Sequence, residues 1–312
     1  MLLVPIPWAA RTWALPVLTA LAPSARYDAE RGRRHKTLTD WARQMLLVVR
    51  RWWPERAIIA VADSTYAALE FLAACRSWHK PVTVVTRLRL DAALYDPAPP
   101  RRPHQTGRPR VKGPRQPTLA ADPSTVWTEV TVTHWYGAGE RTVEVVSATA
   151  VWYHSGLPPV PLRWVLIRDP QGRFPTQALL CTDLAIAPAQ ILTWFIQRWQ
   201  REVTFEEARR HRGLETQRQW SEAAIRRTTP VLLGLFSLVT LLAHRLMPGS
   251  VAVVRQATWY HKRDPTFADA LALVRRELWQ HQALAMSPDA GEMVKVPRAI
   301  MECLTDTLCY VA

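Results

Sequence analysis

The sequence predicts an α/β protein, and three observations predict it. Short apolar, β-branched runs alternate with helical patterning over residues 1–89, the signature of strands interleaved with helices in one sheet. After a proline-rich break, four further strand-like runs follow, joined by glycine-bearing turns. Helical periodicity then returns at Pro188 and holds to about Leu246, with one further helix in the tail and weak signals after it.

Each element has its own justification. Leu2–Ile6 reads as a strand and Leu38–Trp53 as a helix, with Asp40 in a first turn where an acid is favoured by the helix dipole. Ala57-Ile-Ile-Ala-Val-Ala62 is too short for a helix and β-branched enough for a buried strand. Thr65–Cys75 is helical and Val82–Leu88 a strand. Residues 97–117 hold seven prolines in 21 positions, a density no regular element survives. Thr125–Tyr136, Thr142–Tyr153, Arg163–Arg168 and Gln177–Thr182 read as strands, with turns at Tyr136-Gly-Ala-Gly-Glu140 and Asp169-Pro-Gln-Gly172. A helix with Pro188 near its start runs to about Arg210 and ends at Gly213. Ser221–Leu246 is a helix with an apolar centre expected to pack under the sheet, and Phe267–Gln280 is the one helix read in the tail.

Composition narrows the partners. The 312 residues suffice for a large core and for two domains. A net charge of +14 and pI near 10.4 imply a polyanion, by default nucleic acid. The longest apolar stretch, Pro230–Ala243, has 14 residues, short of the roughly 18 a membrane span needs, so no membrane partner is expected. Leu2–Ala22 is apolar but Arg11 interrupts it and no basic residue precedes it, which argues against a secretory leader. Four scattered cysteines give neither a disulfide framework nor a zinc site, so a cytoplasmic location is expected. Fifteen tryptophans suggest an aromatic core with some left for stacking.

Two carboxylates stand out. Asp63 follows the Ala57–Ala62 run directly, at the strand end where open α/β sheets build sites; it is equally a good cap for the next helix. In Trp194–Arg209, the residues Phe195, Arg198, Glu202 and Arg209 fall three, four and seven apart. Continuous helix stacks them on one face, as a metal-and-polyanion site or as an exposed face laced with Arg–Glu pairs. Trp199 points away from Glu202 and is expected in the core.

Val61-Ala-Asp-Ser-Thr-Tyr66 resembles the segment carrying the second aspartate of bacterial insertion-sequence DDE transposases. Phe195-x2-Arg198-x3-Glu202-x6-Arg209 is similar to their Tyr-x2-Arg-x3-Glu-x6-Lys signature, and Arg212-Gly-Leu-Glu-Thr-Gln-Arg-Gln-Trp220 follows it as in that family. The likeness runs from about residue 10 to about residue 245. Phe195 lacks the tyrosine hydroxyl, and Arg209 keeps the lysine charge with a different geometry.

That resemblance implies a ribonuclease H-like core with a β-rich insertion between the last core strand and the glutamate helix, which accounts for the 139 residues from Asp63 to Glu202. It implies four regions: 1–89 as the first part of the core, 90–183 as a basic arm and the insertion, 184–248 as the helical second part, and 249–312 as a tail. It further implies DNA transposition through two divalent ions, Mg²⁺ or Mn²⁺, held by Asp63 and Glu202, with Arg198 and Arg209 on phosphates. DNA is the implied partner, bound by a homodimer at the nucleoid.

The family also needs an earlier aspartate at a strand end. Before Asp63 only Asp28, in a polar stretch, and Asp40, in a helix, are available, so that role falls on no residue and the chain is expected to be an incomplete, weakly active or inactive transposase lacking the N-terminal part. A non-catalytic DNA-binding remnant and another ribonuclease H-like nuclease stay open. Thr106–Arg115 resembles basic arms that follow a phosphate backbone or enter a minor groove, with Arg108, Arg110 and Lys112 as candidate contacts, and it reads equally as a solvated linker.

Overall fold

The computed structural model describes residues 1–101, 104, 106–120, 126–136, 139–247, 254–255, 261–283 and 295–310. They divide into two compact units: residues 22–199, and residues 1–21 together with 200–312. Arg102, which the sequence places in the basic arm, and Thr125, expected to open a strand, lie outside the described residues, as do Gly137 and Ala138 of the expected turn.

The unit 22–199 is a mixed α/β layer structure. It contains α1 (Ala25–Glu30), α2 (Leu38–Trp52), β3 (Ile59–Val61), α3 (Leu69–Ser77), β4 (Thr83–Leu88), β5 (Leu94–Tyr95), β6 (Thr128–Val132), β7 (Arg141–Trp152), β8 (Val160–Arg168), β9 (Gln177–Cys181) and α4 (Pro188–Gln197). The sheet order is β3-β4-β9-β8-β7-β5, with β6 also on β7. Only β3 and β4 run parallel; β9, β8 and β7 are antiparallel neighbours. The strands expected as an insertion therefore continue the sheet of β3 and β4.

Both faces of that sheet are covered, which explains its continuous apolar runs. Alternation along β4, β8 and β9 sends Val84, Leu162, Leu166 and Leu180 toward α3, whose Leu69, Phe71, Leu72 and Cys75 fill that side. Val85, Val165, Ile167 and Leu179 face Ile191, Leu192, Phe195 and Ile196 of α4. The apolar run before Asp63 departs from expectation. Its strand shrinks to Ile59–Val61 at the sheet edge, and Ile59 is 39% exposed. With β4 as its one neighbour among the described strands, one backbone edge of β3 is left unpaired.

The other unit contains β1 (Leu2–Ile6), β2 (Arg11–Leu15), α5 (Gln200–Arg212), α6 (Glu222–Leu246), α7 (Phe267–Ala283) and α8 (Arg298–Tyr310). Leu2–Ile6 is a strand as read, but it forms a two-stranded hairpin with β2 instead of joining the α/β sheet. Ile6, Trp13 and Leu15 of the hairpin pack with Phe236, Val239 and Ala243 of α6 and Phe267, Leu271 and Val274 of α7. The apolar centre of α6 thus packs on the hairpin and α7. At 25 residues α6 is long and apolar enough by length and composition to cross a membrane, although the 14-residue apolar core alone is not. Helix α8, with Ile300, Met301, Leu304 and Leu308 exposed, was not legible in the weak periodicity of the tail. All four cysteines are free.

Candidate functional site

Asp63 sits two residues past β3, in the turn where the chain leaves the sheet. Its Oδ1 accepts the Ser64 N–H at 2.8 Å, capping a single 3₁₀ turn, Ser64–Tyr66, ahead of α3. The Thr86 hydroxyl of β4 donates to the Asp63 carbonyl at 2.7 Å and fixes the backbone there. The side chain is half-exposed, and its second carboxylate oxygen has no partner among the described residues. The capping role is therefore real, and it leaves one oxygen and the solvent face of the carboxylate available.

The expected single helix is broken. Helix α4 ends at Gln197 and α5 begins at Gln200, and Arg198 and Trp199 form a turn between them. There the ladder tightens, with Trp199 N–H donating to Ile196 C=O at 3.0 Å, a 3₁₀ closure that ends the α register without proline or glycine. Phe195 and Arg198 belong to the sheet unit; Glu202 and Arg209 belong to the other.

Phe195 is 3% exposed and packs in the core cluster against the sheet. The Arg198 guanidinium lies 5.1 Å from that ring's centroid, and its Nε is buried with no hydrogen-bond partner among the described residues. Trp199, expected in the core, is 43% exposed and meets Tyr136 edge-on at 5.6 Å. Burial pushes the Tyr136 hydroxyl above its usual pKa, opposed by the charges of Arg198 and of Arg87 on β4. Arg87 and Arg198 are thus both close enough for their charges to act on Tyr136. Sequence reasoning missed Arg87 and Tyr136, because only the sheet order brings β4 near the end of α4.

Glu202 lies in the first turn of α5, where the helix dipole favours a carboxylate. Its Oε1 accepts from Arg201 at 2.5 Å, and both side chains remain partly exposed. Arg209 does not reach toward Glu202. It clasps Glu215 through Nε at 2.7 Å and Nη2 at 3.4 Å, a pairing that raises its pKa. Glu215 holds a left-handed backbone, φ 67°, in the turn that follows α5. In the basic segment Arg108 and Arg110 are exposed, with no partner among the described residues, whereas Lys112 is engaged by tyrosines, as described below.

A resident pair of divalent ions needs a dense set of hard oxygen ligands. Among the described residues no three His, Cys, Asp or Glu side chains gather where they could hold a metal ion. Asp63 and Glu202 each have one oxygen already engaged. The residues present do not by themselves fit a two-ion site.

The sequence model of a family described as DDE superfamily endonuclease matches residues 1–152. The match takes in Asp63 and ends at the last residue of β7, so Arg198, Glu202 and Arg209 lie beyond it. No curated protein matches the chain.

Proposed function

We propose that this chain is a DDE-type DNA transposase polypeptide whose Asp63 and Glu202 are two of the carboxylates used for metal-dependent strand cleavage and transfer, with Mg²⁺ or Mn²⁺ as the ions. The observation that carries the reading is Asp63 itself. It lies inside the segment that matches DDE superfamily endonucleases and leaves the C-terminal end of a strand paired in parallel with its neighbour, the place where α/β sheets collect functional groups. On this reading the seven-stranded sheet is a ribonuclease H-like core extended by its insertion.

The DNA partner follows from charge. A net +14 implies a polyanion, and on this reading Arg198 contacts phosphate. Within this chain the arginines bind and position DNA, and Asp63 and Glu202 would offer oxygen ligands to divalent ions, which would supply positive charge at the reacting phosphate. Two carboxylates are too few ligands for two ions, so the polypeptide as it stands is weakly active or inactive in cleavage. We place it at the nucleoid in the cytoplasm, acting on DNA as a homodimer. The same lack of a gathered donor set favours a second reading, a DNA-binding protein without turnover.

The test is binding of a labelled duplex followed by fluorescence anisotropy over a salt series. The expected result is affinity falling linearly with log salt at a slope of about 0.9 per phosphate contact, with little dependence on sequence. Absence of binding at low salt, or binding insensitive to salt, would overturn the reading.

A further inference from the structure

The basic segment is anchored more tightly than its proline content suggests. Strand β5 pairs with β7 on one side, and its other side is met by the chain returning from the arm. Asp96 N–H donates to Pro114 C=O at 2.9 Å, Gly113 N–H to Asp96 C=O at 2.8 Å, and Gln116 N–H to Leu94 C=O at 2.8 Å. The Gln116 side-chain amide donates to Asp96 Oδ1 at 2.8 Å. Gly113 is required at this closure, since a Cβ there would come 2.7 Å from the Pro97 carbonyl oxygen. The chain thus leaves at Asp96 and returns at Gly113, with 16 residues between.

Lys112 completes the closure. Its Nζ lies 3.4 Å from the Tyr95 ring centroid and 4.7 Å from that of Tyr153, and the two rings meet edge-on at 6.3 Å. A cation set between two tyrosine faces is held by their quadrupoles. The nearby ammonium also holds the Tyr95 hydroxyl below its usual pKa. Arg110 and Arg108, two and four residues earlier, stay exposed. Arg108 and Arg110 flank Pro109, whose ring fixes φ; with an extended Pro109 the two Cα atoms stand about 6–7 Å apart, the scale of neighbouring phosphates on one strand.

We propose that Lys112 is a positioning residue that clamps the base of the basic loop between Tyr95 and Tyr153, so that Arg108 and Arg110 meet adjacent phosphates while Lys112 itself makes no DNA contact. The inference rests on the DNA-binding reading above. Its logic is preorganisation: a loop closed before binding loses less freedom when its arginines engage.

Amide hydrogen exchange of the free protein and duplex binding together test it. Lys112→Ala and Tyr95→Leu should each speed exchange of the Gly113 and Asp96 amides about 2–5-fold, the range for an exposed cation–π contact, and the double variant should add little. Lys112→Arg should stay near the parent rate. Gly113→Ala, which leaves all charges in place, should open the same closure. On DNA, Lys112→Ala should weaken binding with the salt slope unchanged, whereas Arg108→Ala should flatten it by about 0.9. Unchanged exchange in both Lys112→Ala and Tyr95→Leu would overturn the clamp. So would a Lys112→Ala slope flattened by about 0.9, which makes the lysine a phosphate contact. Faster exchange in a chain whose parent binds no DNA would overturn the DNA reading, and with it the role in positioning, while leaving the closure itself intact.

Discussion

Asp63 and Asp169 both follow a strand of the same sheet, yet the fold uses them in opposite ways. Asp169 comes after β8, an interior strand, and its side chain is fully buried. Its carboxylate accepts from Arg141 Nη2 at 2.9 Å, from Arg173 Nε at 3.1 Å, and from the backbone N–H groups of Arg173 and Gln171. Burial raises its pKa, and the hydrogen bonds and charge of Arg173 with the Gln171 N–H outweigh it, holding the group at about 2. Asp63 comes after β3, an edge strand, and accepts one N–H. A carboxylate at an interior strand end is used up by the fold; one at an edge keeps bonding capacity for something else.

The strands themselves give the largest test of that contrast. Leu162→Ala on β8, a fully buried position, should cost about 2–5 kcal/mol in urea unfolding. Ile59→Ala on β3, 39% exposed, should cost about 1 kcal/mol. Equal costs would mean that β3 is not an edge in solution.

The aspartates come next. Asp169→Asn should lower the thermal midpoint markedly, because Arg141 and Arg173 lose the charge they surround. Its folded pKa is depressed, so its contribution is complete above the ordinary carboxyl value near 4 and is lost as pH falls toward about 2. Melting curves of parent and variant should therefore converge between about pH 4 and pH 2. Asp63→Asn should change stability by less than about 1 kcal/mol, the worth of a cap, and should tighten metal-free DNA binding by removing a repelling charge. Marked destabilisation by Asp63→Asn would make it another structural carboxylate.

Much of this was legible in sequence, for a physical reason. Strands β4, β7, β8 and β9 and helices α2, α3, α6 and α7 carry the period of their own burial, which is a local property. Runs ending in Asp63 and Asp169 look alike because strand order is not local: nothing in Ala57–Ala62 says that it has one neighbour while Arg163–Arg168 has two. The same limit hid the hairpin partner of Leu2–Ile6. The turn at Arg198–Trp199 carries no proline or glycine to announce it, and the positive φ of Glu215 that delivers its carboxylate to Arg209 falls on a residue type that rarely adopts it.

That last pairing yields the smallest predicted effect. Arg209 and Glu215 are both about half-exposed, so Arg209→Ala should cost less than about 1 kcal/mol of stability. While the pair holds on DNA, Arg209→Ala should also leave the salt slope unchanged. A flattening of about 0.9 would show that Arg209 leaves Glu215 for a phosphate.

The most direct measurement of the central claim is nicking of supercoiled plasmid by the purified chain in Mn²⁺, beside Glu202→Gln and Asp63→Asn controls. The account predicts salt-dependent plasmid binding and no nicking above the Glu202→Gln background, since two partly engaged carboxylates do not make a two-ion site. Clear nicking that disappears in both variants would contradict it, and would mean that a further residue of this chain completes the donor set.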